Sequence, residues 1–289
     1  MDKKRIIIAL SIAAVLIPAF CLVPCRWPIG LVGMLLFAGF GTWEFYGLLH
    51  AGGIAVSRKW GTASGLVLVA ATWYNMLGKH VTYTGFHISD TALWCILLLV
   101  VASNFFRILA YPNLRQGLDS CMGTILGIVY VPLLWSFVVR LFLIGDLDEP
   151  GWAAFYVIFC MKMADSGGYF FGTRFGKHKL APIISPKKSW EGLVGGIVFC
   201  GVVNAVWFIV SHGQITGTIP FSWVHAAILS VLFPVVGTLG DLVESLFKRA
   251  VDVKDSNAMV YGLGGILDMI DSILFAAPML YIYIEFFLK

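Results

Sequence analysis

The fold is decided by apolar stretches such as residues 190–212, WEGLVGGIVFCGVVNAVWFIVSH, in which no charged side chain lies between Glu191 and His212. A helix needs about 20 mainly apolar residues to cross the hydrocarbon core of a bilayer. Backbone N–H and C=O groups must find their partners within such a segment, because lipid offers none. The stretch is therefore predicted to be a membrane-spanning helix.

The composition of the whole chain agrees with this prediction. Of the 289 residues, 59% are hydrophobic and 12% are charged, whereas a soluble domain carries about 25% charged residues. This composition excludes a disordered chain, a basic nucleic-acid-binding domain and a secreted disulfide scaffold. It also argues against a soluble enzyme, whose surface needs more charge. A membrane protein with several spans is the class that remains.

About nine segments have the length and apolar character of a membrane span, which predicts an all-α polytopic membrane protein. The first follows a basic N-terminus but lacks a cleavage site of small residues, so it is predicted to be a retained span and not a signal peptide. The predicted spans are residues 6–24, 28–48, 61–78, 90–110, 121–145, 151–172, 190–212, 221–247 and 262–288.

The positions of Lys and Arg predict the orientation and the division of the chain. With a cytoplasmic N-terminus, fifteen of the 20 Lys and Arg residues face the cytoplasm and four face the opposite side, as the positive-inside rule requires. Residues 1–150 are predicted to form about five ordinary spans. Residues 151–289 are predicted to form about four spans with two basic cytoplasmic loops. This half also has most of the ionisable residues at membrane depth, so the functional site is expected here, on the cytoplasmic side of the membrane.

Acidic residues inside predicted spans are costly and are therefore candidates for function. Three of them, Asp165, Asp241 and Asp268, lie near the cytoplasmic ends of three different spans. Converging carboxylates are typical of a site for Mg²⁺, which takes oxygen ligands and shares them with substrate phosphates. The alternative is that these acids form structural ion pairs with Lys248, Arg249 and Lys254.

Helical spacing extends this candidate site. Asp241, Ser245 and Lys248 are spaced i, i+4, i+7 and share one helix face, and Asp268 and Asp271 are spaced i, i+3 on another. For Asp271 and Glu244, hydrogen bonding between helices is nearly as well supported as a direct role. Glu44 has no partner that the sequence reveals, so a structural and a functional role are equally supported.

Two basic loop segments, residues 172–179 and 185–192, separate the spans that carry these acids. The positive-inside rule alone explains part of their charge. In the second segment Pro186 is expected to form a turn, and Ser189 is expected to cap the helix that follows. A helix N-terminus flanked by Lys187 and Lys188 is suited to binding an anion such as a polyphosphate. Neither a Walker A motif nor a dinucleotide-binding glycine motif on a strand is present.

These motifs, in this order, resemble the phosphatidate cytidylyltransferase family, also called CDP-diacylglycerol synthases. The resemblance is strongest over residues 160–277. The motifs that carry it are DSGGYFFG at 165–172, SPKKSWEG at 185–192, GDLVES at 240–245 and GGILDMID at 264–271.

The chain departs from the family pattern at two positions. The family signature normally has a histidine where this chain has Leu263, and an arginine where it has Met269. Both acids of that block, Asp268 and Asp271, are present. The departures leave open whether the chain is an active variant or has altered substrate specificity or reduced activity.

The resemblance implies that CTP and phosphatidate react to give CDP-diacylglycerol and pyrophosphate, for phospholipid biosynthesis. It implies Mg²⁺, with a second cation as a further option, held by Asp241, Asp268 and Asp165. These three residues and Lys248 are the expected catalytic residues. The expected substrate-binding residues are Ser185, Lys187, Lys188, Glu191, Ser245, Arg249, Lys254, Asp255 and Asp271.

Other functions remain open at this point. A CTP-dependent polyprenol or phytol kinase shares the topology and the nucleotide, and an ion transporter or an inactive relative are further alternatives. The expected partners are CTP, phosphatidate and the lipid bilayer, with no nucleic acid, and a homodimer is a further option.

Overall fold

The computed structural model describes residues 26–79, 88–145, 151–216, 218–251 and 265–288. The predicted span 6–24 lies outside these residues, whereas each of the other eight predicted spans coincides with helix. The elements are α1 (Arg26–Ala51), α2 (Arg58–Gly78), α3 (Asp90–Ile108), α4 (Leu114–Ile128), α5 (Leu134–Phe142), α6 (Trp152–Phe175), β1 (Lys179–Ala181), β2 (Ser185–Ser189), α7 (Trp190–Val210), β3 (Gln214–Thr216), β4 (Ile219–Pro220), α8 (Trp223–Ala250) and α9 (Ile266–Phe287).

Six of the described helical segments are long and apolar enough to cross a membrane. Helices α2 and α6 have a similar length but are more polar, and α6 contains Lys162, Asp165 and Arg174. Helices α4 and α5 form one of the six segments, because the π-helical turn Val129–Leu133 joins them without a break. Pro132 lies in this turn, where a wider helix accommodates the residue that lacks an N–H.

The chain divides into two compact units. One contains Met1–Leu143 and Ala250–Met269, and the other contains Ile144–Arg249 and Ile270–Lys289, so the division passes through α9.

Tyr46 is the centre of packing in the first unit. Its side chain is fully buried, and its hydroxyl donates a hydrogen bond of 2.7 Å to the backbone oxygen of Thr124 in α4. Gly61 in α2 and Gly127 in α4 leave the space that the ring occupies, since a Cβ at either position would overlap it. Tyr46 thus fixes α1 against two neighbouring helices.

A buried polar group joins three helices of the second unit. Asn204 in α7 accepts a hydrogen bond from the hydroxyl of Tyr156 in α6. Its amide nitrogen donates to the hydroxyl of Ser230 in α8 at 3.0 Å. Because buried polar groups need partners, this group fixes how the three helices align.

Two short antiparallel ribbons, β1–β2 and β3–β4, connect helices in the second unit. The turn predicted at Pro186 is wrong, because Pro186 lies inside β2 and the turn of the ribbon falls at residues 182–184. A strand in a two-stranded ribbon has a free edge, where the missing N–H of proline is tolerated. The basic segment is therefore extended and leads directly into α7.

Candidate active site

The wall of the candidate site is a close contact between α6 and α7. Gly168 and Gly172 in α6 lie against Gly192 in α7, and Gly196, four residues further along α7, lies against Ala164 of α6. A Cβ on Gly192 would lie 2.9 Å from the backbone oxygen of Gly168. Small residues at this spacing allow helix backbones to approach closely in membranes, so the two motifs that contain these glycines become neighbours.

Ser189 determines where α7 begins. It is the N-cap residue, and its hydroxyl accepts a hydrogen bond of 3.2 Å from the backbone N–H of Gly192. The predicted cap is thus confirmed. Because Ser189 is also the last residue of β2, the cap fixes the preceding lysines at the positive end of the α7 dipole.

Lys188 connects this ribbon to α8. Its ammonium group lies 2.7 Å from Oδ2 of Asp241 and donates a hydrogen bond of 3.0 Å to the backbone oxygen of Thr238. The ion pair that Asp241 forms is therefore with a lysine of the loop, and not with a cation that follows it in α8. Ser245 supports the same carboxylate, donating to Oδ1 of Asp241 at 3.4 Å.

These groups surround a cavity of about 360 Å³ in the second unit. Two acids of the predicted metal site, Asp165 and Asp241, line it together with Ser185, Lys187 and Lys188 of β2. The remaining lining residues are Ala164, Gly168, Tyr169, Gly172, Leu180, Ser189, Gly192, Leu193, Gly196, Pro234 and Thr238. The cavity thus has two carboxylates, two cations and apolar surface, which suits a ligand with a charged and an apolar part.

Sequence reasoning missed several of these positions. Tyr169, Thr238 and the cavity glycines were not predicted, and neither was Lys162, which lies 3.8 Å from Oδ2 of Asp165. The four-residue spacing of glycines, at 168 and 172 in the first motif and at 192 and 196 at the end of the second and just after it, was the available signal, because it marks close helix packing.

A second group of charges lies at the contact of α8 and α9. Glu244 is buried and pairs with Lys248 one turn later in α8, at 3.0 Å. Asp271 in α9 is also buried and shares a side-chain hydrogen bond with Glu244, in which one of the two carboxyl groups carries the proton and donates it. This is the hydrogen bond between helices that the sequence left as an alternative. Removing one member of a buried charged group leaves the others uncompensated, so this group also stabilises the fold.

Glu191 contacts the start of the ribbon and is not among the residues that line the cavity. Its carboxylate lies 2.6 Å from Nδ1 of His178 and 3.2 Å from the backbone N–H of the same residue. The backbone N–H of Trp190 in turn donates to the carbonyl oxygen of His178. In the structure, Glu191 therefore joins the base of the ribbon to the first turn of α7.

The remaining predicted residues lie elsewhere. Arg249 is exposed near the end of α8. Asp268 lies in the first turn of α9, in the part that belongs to the first unit. Lys254 and Asp255 fall outside the described residues, as does Leu263.

The donor groups of the cavity fit a hard divalent cation. No group of three or more His, Cys, Asp or Glu side chains within the described ranges is arranged to hold a metal by itself. Mg²⁺ is commonly held by one or two carboxylates, with water and substrate phosphates completing its shell. Asp165 and Asp241 supply two carboxylates beside lysines that suit phosphate, which matches that chemistry.

Comparison with known proteins identifies the family of this chain. A model of the cytidylyltransferase family matches residues 3–287. The chain belongs to this family. A phosphatidate cytidylyltransferase of Bacillus subtilis is 33% identical over 231 residues, covering 77% of this chain and 79% of the relative.

Two further relatives of the cytidylyltransferase family carry the same name. One from Mycobacterium leprae is 32% identical over 276 residues, which covers 93% of this chain and 83% of that protein. Another from Haemophilus influenzae is 44% identical over 132 residues, covering 46% and 45% of the two chains. Together with the six apolar helices, membership of this family makes the chain an integral membrane protein.

Proposed function

We propose that this chain transfers a cytidylyl group from CTP to phosphatidate, giving CDP-diacylglycerol and pyrophosphate for phospholipid biosynthesis. The observation that carries the proposal is the cavity in which Asp165 and Asp241 lie beside Lys187 and Lys188. Membership of the cytidylyltransferase family, whose relatives here are named phosphatidate cytidylyltransferases, supports the same reaction.

The reaction is a displacement at phosphorus. A phosphate oxygen of phosphatidate forms a bond to the α-phosphorus of CTP, and the bond from that phosphorus to the bridging oxygen of the β-phosphate breaks. Pyrophosphate leaves with the electron pair of that bond. The attacking phosphate is anionic at neutral pH, so the reaction needs no strong general base, and the absence of the family histidine at Leu263 is compatible with it.

The main task of the protein is to bring two polyanions together. Such transfers are catalysed chiefly by positioning and by neutralising charge. Lys187 and Lys188, fixed by the Ser189 cap, are placed to hold phosphate oxygens. Lys248 and Arg249 at the end of α8, together with Lys254 further along the chain, are proposed to add positive charge. Ser185 and Ser245 are proposed to orient polar groups within the site. Asp255 and Asp271 are retained as candidates for substrate binding.

The proposed ligands of Mg²⁺ are Asp165, Asp241 and Asp268. Asp165 and Asp241 line one cavity, and Asp268 is proposed from its motif. When bound, the ion supplies neutralisation of triphosphate charge, and a second cation would add to it. If Asp241 held the metal, its contact with Lys188 would be given up, and Lys188 would be available to hold phosphate.

The finer membrane arrangement is part of the proposal. The distribution of Lys and Arg supports nine spans with a cytoplasmic N-terminus. The cavity would then open on the cytoplasmic side of the inner membrane, where CTP enters from water while the acyl chains of phosphatidate stay in lipid. A homodimer remains a prediction.

Incubation of the purified protein with CTP, phosphatidate and Mg²⁺ tests the function. We expect label from the α-phosphate of CTP to enter the lipid, and label from the γ-phosphate to appear only in pyrophosphate. Transfer of γ-label to a polyprenol would instead support a lipid kinase. Ion flux in liposomes without consumption of CTP would support a transporter and refute the proposal. The double change Leu263→His, Met269→Arg in the same assay measures how the two departures from the family pattern affect the rate of cytidylyl transfer.

A further inference from the structure

Glu44 is a buried acid that the proposed mechanism does not use. It lies in α1, and 5% of its surface is exposed. Burying a carboxylate is costly unless it is paired or hydrogen-bonded. Its Oε2 accepts a hydrogen bond of 3.2 Å from the backbone N–H of Leu267, a residue 223 positions away. The contact lies within the first unit, to which both residues belong.

The position of Leu267 at the start of α9 explains what this contact does. Helix α9 begins at Ile266, so Leu267 is its second residue, and its N–H is one of the four at a helix start that lack a partner within the helix. A side chain at the residue before the helix normally accepts from this N–H or the next one. Here that residue is Gly265, which has no side chain. Glu44 supplies the missing acceptor from another helix, and its charge suits the positive end of the helix dipole.

Asp268 supplies the other half of the cap. Its Oδ2 accepts a hydrogen bond of 3.4 Å from the backbone N–H of Gly265, which is how the third residue of a helix reaches back in a capping box. In this arrangement two carboxylates stabilise the same turn. One of them, Asp268, is also a proposed metal ligand.

The part of α1 that carries Glu44 is held on both sides. The backbone oxygen of Trp43 accepts a hydrogen bond of 3.0 Å from Nε of Arg58, and the Arg58 guanidinium lies 3.9 Å from the centre of the Trp43 ring. Two residues beyond Glu44, Tyr46 is fixed by its bond to Thr124. Glu44 is therefore a fixed acceptor to which the start of α9 is attached.

We propose that Glu44 is a positioning residue that caps α9 in place of the missing N-cap side chain, so that Asp268 is not needed for the cap and is available as a metal ligand. The second part rests on the proposed function, because it takes Asp268 as a ligand. Without Glu44, Asp268 is the side chain that remains to cap this turn, and the helix start competes with the metal for it.

Three variants in detergent test the inference, Glu44→Ala, Glu44→Gln and Asp119→Asn. Asp119 is an exposed acid of α4 in the same unit and serves as a matched control for loss of an acidic group. Hydrogen exchange of the peptide that contains residues 265–270, measured on metal-free protein, reports the cap. Binding of Mn²⁺, measured by electron paramagnetic resonance, reports the metal site.

We expect Glu44→Ala to exchange faster in that peptide and to bind Mn²⁺ about 10-fold more weakly, as for other groups that orient a metal ligand. Glu44→Gln keeps an accepting oxygen and should recover most of both losses, and Asp119→Asn should match the unaltered protein. Unchanged exchange in Glu44→Ala would overturn the cap, and faster exchange with unchanged Mn²⁺ affinity would overturn the positioning role.

Failure of the proposed function has a different signature. An unaltered protein that binds Mn²⁺ but transfers no cytidylyl group refutes the proposed reaction and leaves the role of Glu44 standing. If Asp268→Asn binds Mn²⁺ as tightly as the unaltered protein, Asp268 is not a ligand and the inference fails.

Discussion

Substitutions at two adjacent glycines of α6 test how closely α6 packs against α7. A Cβ on Gly167 would lie 2.6 Å from the backbone oxygen of Gly195 and 2.7 Å from Cβ of Phe199. A Cβ on Gly168 would meet only the backbone oxygen of Gly192, at an ordinary 3.5 Å. Both residues lie inside the same helix, so replacement of either by alanine gains the same helix propensity, about 1 kcal/mol.

The two substitutions should therefore differ by the packing term alone. Gly167→Ala forces backbone and a rigid Cβ atom apart, and overpacking of this kind costs about 1–3 kcal/mol. We expect Gly167→Ala to be less stable than Gly168→Ala by about 2 kcal/mol, roughly a 30-fold change in the unfolding equilibrium.

Unfolding in detergent micelles, followed by tryptophan fluorescence during a denaturant titration, measures this difference. Activity is not a suitable readout for it, because Gly168 lines the cavity and a methyl group there also reduces the space for substrate. Equal stabilities for the two variants, or a less stable Gly168→Ala, would show that the contact of α6 and α7 is not as close as described.

Three further predictions concern the cavity and its supports. Lys188→Met should lower kcat/KM for CTP by about 100-fold, as for loss of one preorganised hydrogen-bond donor. Steady-state kinetics at varied CTP concentration measures this change, and a decrease of less than about threefold would contradict a role of Lys188 in binding phosphate. Asp241→Asn should abolish most of the Mg²⁺-dependent activity. Ser245→Ala removes only the 3.4 Å hydrogen bond to that carboxylate and should retain most of the activity. A titration of activity against Mg²⁺ separates the two variants, and equal losses would refute the proposal that Asp241 is a metal ligand. Glu191→Gln should leave the free energy of unfolding nearly unchanged, because its partner His178 is largely exposed and exposed ion pairs contribute little. Denaturant titration measures this, and a clear loss of stability would mean that the base of the ribbon contributes more to the fold than these contacts indicate.

The sequence predicts the helices well and the contacts between them poorly. Apolar runs such as residues 190–212 are long and uninterrupted, so the spans could be placed from length and hydropathy alone. The cap at Ser189 was also predictable, because its signal is local. The ribbon was not, since a five-residue basic segment with a proline has no periodicity that distinguishes a strand from a turn.

The spacing of residues within one helix does not predict which side chains pair between distant parts of the chain. The sequence left open that Asp241 pairs with Lys248, Arg249 or Lys254. In the structure Asp241 pairs with Lys188 of β2, and Lys248 pairs with Glu244. Glu44 had no visible partner because the group it binds is a backbone N–H, which every residue except proline has. The predicted residues that line the cavity all belong to motifs quoted from the sequence. The packing that brings those motifs together depends on glycines, whose small size lets α6 and α7 approach closely.

The contact between Lys188 and Asp241 has a thermodynamic consequence for the order of binding. With its cation and anion joined, this part of the cavity has little net charge. If Asp241 holds Mg²⁺ and Lys188 holds the triphosphate, as proposed, either ligand alone would have to displace the partner of the residue that binds it. A complex of the two supplies both charges at once and replaces one pair with two. Each ligand should then raise the affinity for the other by the same factor, because such coupling is reciprocal. Calorimetric titration of either ligand, with and without the other, measures that factor. A factor of one would show that the ion pair does not couple the binding of the two ligands.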